Sequence, residues 1–159
     1  MMNSQRKLVP VLRQRQRGVA AIEFAIVVPL FILVLAPLIL YARYEWHYTV
    51  AQKAAQDAAR YMSSVSAMEM RSKTLAGYAQ AIAVQIAKTE MAELSPGDDI
   101  ADPSVTCDGH ACAQSSGAAL PSTVSVYITF NLVDTFFGIY LGPYGVPIEA
   151  NVTMRYVGK

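Results

Sequence analysis

The stretch RQRGVAAIEFAIVVPLF, Arg15–Phe31, decides how the rest of the chain is read. Arginines stop at Gly18, an apolar run begins at once, and a single carboxylate, Glu23, sits inside it. From Val19 to Tyr41 there are twenty-three residues, and Glu23 is the only charged one. As an α-helix this segment rises roughly 34 Å, enough to cross the hydrocarbon core of a bilayer with some tilt. Five basic residues precede it (Arg6, Lys7, Arg13, Arg15 and Arg17) and no acidic one does. That asymmetry predicts an N-terminus held in the cytoplasm and a chain exported beyond Tyr41. Tyr41, Tyr44, Trp46 and Tyr48 crowd the far end, where amphipathic rings favour the membrane interface. The run exceeds the usual apolar region of a secretory signal and no small-x-small cleavage site closes it, so a retained anchor is expected.

At 159 residues with 53% hydrophobic and 16% charged residues, the chain has room for one ordinary domain beside the anchor. The formal net charge of +1 hides a division. Beyond Gly18 there are eight basic residues against twelve acidic ones, a mildly acidic remainder. The basic cluster lies ahead of a membrane segment rather than on a folded surface, which argues against nucleic acid as a partner.

No Gly or Pro interrupts RYEWHYTVAQKAAQDAARYMSSV, so the spacing predicts one helix from the membrane to about Val65. Tyr48, Ala51, Ala55, Ala58 and Met62 form its apolar stripe, and small side chains there let another element approach closely. A second helix is expected to start at the capping box of Ser66 and Glu69, bury Leu75, Ala79, Ile82 and Ile86, and stop near Leu94. Gly77 weakens its continuity. The period then changes. Val124, Val126, Ile128, Phe130 and Leu132 alternate with polar residues, and Ile148, Ala150, Val152, Met154 and Tyr156 repeat the pattern. A short edge strand is expected at Ser104–Cys107. The connection VDTFFGIYLGPYGVP is too long for a tight hairpin and presents a surface for a partner or a lid on its own sheet. The fold class is therefore α+β: a long N-terminal transmembrane helix, a second helix and a small antiparallel sheet.

Cys107 and Cys112 enclose DGHA, and in an exported domain that spacing reads as a disulfide. A metal site would recruit Asp108 and His110 but lacks a second ligand pair, and a redox motif would need C-x-x-C. His47 beside Trp46 reads as an interfacial side chain. The NVT at Asn151 meets the glycosylation pattern only formally, inside a strand, and GIYLG reads as turn chemistry. No G-x-S-x-G, H-E-x-x-H or phosphate-binding glycine loop occurs, so no catalytic residue, cofactor or metal is expected.

A basic leader ending in Gly18, then VAAI, then Glu23 and Phe24 ahead of a long apolar helix resembles a type IV prepilin signal. With Pro29 in IVVPLFIL and YARYEWHYTVAQKAAQDAARY following, the chain resembles the TadE-like pseudopilins of the tight-adherence (Flp) pilus system. The tail IEANVTMRY is also similar to that family's C-terminal end. The resemblance implies cleavage by a prepilin peptidase between Gly18 and Val19, leaving Glu23 as fifth residue, where its carboxylate would meet the free amine of Val19 on a neighbouring subunit. It implies pilin and pseudopilin subunits, the inner-membrane assembly platform and membrane lipid as partners, with no cofactor, and a bacterial inner-membrane location with the C-terminal part in the periplasm. Pro29 and Pro37 each remove a helix hydrogen bond and are candidate kink positions.

The expected organisation is a leader (1–18), a membrane and assembly helix (19–41) and a periplasmic pilin-like domain (42–159). A major Flp subunit is little more than its helix, so a folded part of about a hundred residues implies a minor, assembly-related subunit rather than an enzyme. The competing readings are a membrane-anchored periplasmic sensor without processing and a secreted hydrolase.

Overall fold

The computed structural model describes residues 15–94, 102–115, 119–133 and 145–158. The chain divides after Tyr41 into two compact units. The helix α1, Arg15–Ser64, contributes to both and runs unbroken through Pro29 and Pro37.

In the first unit α1 is apolar on every side. Fourteen large apolar side chains between Val19 and Tyr41 are exposed, including Phe24, Leu30, Phe31 and Leu33. At about 1.5–3 kcal/mol for each such side chain, leaving them in water would forgo tens of kcal/mol. This surface needs lipid or other protein around it. Among the described residues it belongs to the one helix long and apolar enough to cross a membrane.

In the second unit α1 continues to Ser64, followed by α2 (Ala67–Arg71), α3 (Lys73–Met91) and a 3₁₀ turn (Ala92–Leu94). Then come β1 (Ser104–Cys107), a short α4 (Cys112–Ser115), β2 (Thr123–Leu132) and β3 (Val146–Arg155). The strands form an antiparallel sheet in the order β1-β2-β3, with Val105 opposite Val126 and Phe130 opposite Ile148. The alternation read from the sequence is kept: Val124, Val126, Ile128, Phe130 and Leu132 are all buried. Ile148 and Ala150 join them, while Val152, Met154 and Tyr156 are half-buried.

Helices α1 and α3 enclose one core with that face of the sheet. Ala51, Ala54, Ala55, Ala58 and Ala59 of α1 are wholly inaccessible, as are Ala76, Ala83 and Ala87 of α3. Both alanine rows belong to the same core as the buried face of the sheet, and the methionines Met62, Met70 and Met91 are the largest side chains fully buried in it. Three expectations are corrected here. Tyr48 lies off the buried stripe of α1 and is 37% exposed. On α3 only Ala79 of the expected face is buried; Leu75 and Ile82 point outward because the core takes the row Ala76, Ala79, Ala83 and Ala87 instead. The second helix is also two helices. Ser72, extended at φ −86° and ψ 119°, ends α2 and caps α3, whereas Gly77 lies within α3 undisturbed. The capping box of Ser66 and Glu69 is present as read.

His47, expected as a side chain at the membrane interface, is buried. Its Nδ1–H donates to the Arg43 carbonyl at 2.7 Å, and its ring lies 6.4 Å from that of Phe130, fixing α1 against the sheet. At the other end of the seam the Tyr156 hydroxyl donates to the Val65 carbonyl at 2.8 Å, and the backbone N–H of Val157 to Ser63. Cys107 and Cys112 are disulfide-bonded around a tight turn in which Asp108 takes φ +47°. The Asp108 carboxylate accepts from the N–H groups of Ser122 (2.9 Å) and Thr123 (2.8 Å) and from the Thr123 hydroxyl (3.0 Å). These donors hold its pKa below the usual carboxylate value.

Ala58→Leu should destabilise the full chain in detergent by about 1–3 kcal/mol through overpacking of the seam, measured by urea titration. Asp108→Asn keeps a residue tolerant of positive φ but removes the acceptor charge. Because a depressed pKa contributes stability above the unfolded value and loses it as pH falls through the folded one, Asn should lower Tm at pH 7. The gap should close below pH about 4.

Candidate functional site

Gly18, Val19, Glu23 and Phe24 occupy the first turns of α1, and all four are exposed. Nothing lies within 4 Å of where a Cβ on Gly18 would sit. The helix therefore does not need glycine here for packing. Glycine in a helix interior lowers stability by about 1 kcal/mol relative to alanine, so this turn unwinds more readily than its neighbours. Val19 and Glu23 are four residues apart and share a helix face, whereas Phe24 is turned about 100° away from Glu23. An amine at Val19 would lie about 6 Å along the axis from Glu23 of its own chain, within reach of a long side chain. Val19 and Glu23 are thus brought onto one exposed, otherwise apolar face. The leader residues Arg6, Lys7 and Arg13 lie outside the described residues.

The model of the TadE-like protein family matches residues 18–60. Those residues form a TadE-like segment. The match begins at the glycine and takes in Glu23, both prolines and the alanine stripe up to Arg60, so the segment covers the apolar helix and most of its continuation into the core. The tail Ile148–Tyr156, read from the sequence as similar to that family's end, lies outside the match. No curated protein and no solved structure matches the chain.

Beyond the TadE-like segment the structure brings together groups that the sequence does not advertise. Lys53 and Asp57 on α1 flank the alanine seam, and Glu90 flanks it on α3. Glu90 Oε2 is shut off from water, without a hydrogen-bond donor, although a quarter of the side chain is exposed. Lys53 Nζ approaches it only to 4.0 Å and is itself 71% exposed. An exposed pair of this kind is worth about 0–1 kcal/mol, too little to offset the burial. Burial raises the Glu90 pKa first, and the neighbouring Asp57 carboxyl adds to this; Glu93 raises it further and Lys53 opposes it. Its sequence signal is faint, since Asp57 and Glu90 stand 33 residues apart and each looks like an ordinary solvated charge on a helix.

No group of three or more His, Cys, Asp or Glu side chains able to hold a metal ion occurs among the described residues. His110 and Asp108 belong to the disulfide turn, where Asp108 is taken up by backbone donors. The aromatic connection between β2 and β3, read as a partner surface, lies outside the described residues from 134 to 144.

A raised folded-state pKa means that the stabilising contribution is complete below the unfolded value and is lost as pH rises through the folded one. Glu90→Gln should therefore raise Tm at pH 7 and leave it nearly unchanged near pH 4, as read by thermal melts of the full chain in detergent.

Proposed function

We propose that this chain is a minor pseudopilin of a tight-adherence (Flp) pilus, inserted in the bacterial inner membrane with its folded part in the periplasm. It serves assembly, priming or adhesion rather than catalysis. The observation that carries this reading is the TadE-like segment itself: Gly18 and Glu23 at the head of an exposed apolar helix that continues into an α+β core.

A prepilin peptidase cleaves after Gly18. The glycine suits a narrow protease cleft, and the locally weakened helix supplies the extended peptide that proteolysis needs. Cleavage removes the arginines and exposes an ammonium at Val19. In the membrane, near the interface, an ionised Glu23 costs less than the roughly 2.5–3.5 kcal/mol of a charge at the bilayer centre. Withdrawn into a filament, it must find a cation. The ammonium of a neighbouring subunit meets this need and fixes the axial register. The Val19 amine of the same chain can partner Glu23 before assembly, being one turn away. The other subunits and the inner-membrane platform are the partners of this step, and adhesion follows from the assembled pilus.

Intact mass and N-terminal sequencing of the chain from native membranes should give a polypeptide that starts at Val19. A chain retaining Met1–Gly18 would favour the unprocessed, membrane-anchored sensor instead. Glu23→Gln and Glu23→Val should be cleaved normally yet recovered in sheared pili at well below the parental level. Parental recovery of both would sink the register role.

A further inference from the structure

The helix α3 has a second apolar face that the core does not use. Leu75, Tyr78 and Ile82 are 44%, 64% and 48% exposed and follow one another at helical spacing, about 110° around α3 from the alanine row. The stripe ends in a shallow cavity of about 340 Å³ lined by Ile82, Gln85, Ile86, Thr89 and Glu90. A surface helix that is apolar on two sides usually has something on both.

The charge at the end of the stripe says what the occupant carries. Glu90 lines the cavity, and Asp57 on α1 and Glu93 in the following turn are near enough for their negative charges to act on it. Among the described residues Lys53 is the cation that opposes them, and it is mostly in water at 4.0 Å. The site is therefore left with excess negative charge beside apolar walls. An ammonium or guanidinium with a hydrocarbon stem satisfies both features, laying its methylenes on Ile82 and Ile86 and its charge beside Glu90.

We propose that the outer face of α3 docks a helix of a partner protein that presents a lysine or arginine next to apolar side chains. The apolar positions lie along Leu75, Tyr78 and Ile82, and the cation enters the Glu90 cavity. The straight row of anchors fits a helix, and the acidic end sets its register. This goes beyond the pilus assignment and does not require cleavage after Gly18, since every residue involved lies in the folded part.

The test places a photo-reactive p-benzoylphenylalanine at position 82 of the full chain in native membranes, with a control at Asn151 on the outer face of the sheet. The cross-linked peptide is identified by tandem mass spectrometry, and the N-terminus of the same sample is sequenced so that processing is read separately. The expected result is an adduct from position 82, and not from 151, to a helical segment of another protein within one or two turns of a lysine or arginine. Glu90→Gln should reduce its yield by about fivefold or more. That variant is expected to be at least as stable as the parent at pH 7, so a lost adduct cannot be put down to unfolding. Asp57→Asn should weaken it in the same direction. Adducts only to lipid or to a second copy of this chain, no adduct, or a yield indifferent to Glu90→Gln would each overturn the proposal.

Discussion

The burial of two alanine rows, one on α1 and one on α3, in one core with the sheet is the constraint on which the folded part depends. Alanine buries little area, so each position contributes modestly, and the stabilisation comes from continuous contact along several turns. Leucine and isoleucine on α3 are turned out, and most of the bulky branched residues of the core come from the sheet. The pins at either end of the seam, His47 against Phe130 and Tyr156 against Val65, keep the sheet from sliding along α1.

That seam also explains why charge appears where it does. Residues beside a narrow interface are partly dried even when they face outward, and Glu90 is caught in this zone with Asp57 opposite. Such a pair works against stability at neutral pH, which makes its position next to an exposed apolar stripe informative. A core made for stability alone would place glutamine or alanine there.

The two units answer to different solvents. Along Val19–Tyr41 the helix has apolar side chains on every side, and a single carboxylate near its start is the one group that lipid does not satisfy. From Ala42 onward the same helix is amphipathic and belongs to the folded core. One continuous α-helix can serve both because its backbone hydrogen bonds are internal in either medium, and only the side chains must change.

The sequence by itself determined the membrane-compatible helix, its glycine and glutamate, the capping box, the disulfide turn and both long strands. Each of these depends on neighbours a few residues away: an uninterrupted apolar run, a period of two, an S-x-x-E spacing. It also indicated that α1 would carry a buried alanine stripe, because alanines recur at helical spacing. Only the tertiary structure decided which face of α3 turns inward, since the sequence offers two apolar faces and the core takes the one with the smaller side chains. The break at Ser72, the burial of His47 and the meeting of Asp57 with Glu90 were decided in the same way. Each is a contact between segments far apart in the chain, and side-chain periodicity carries no information about which distant residue will stand opposite.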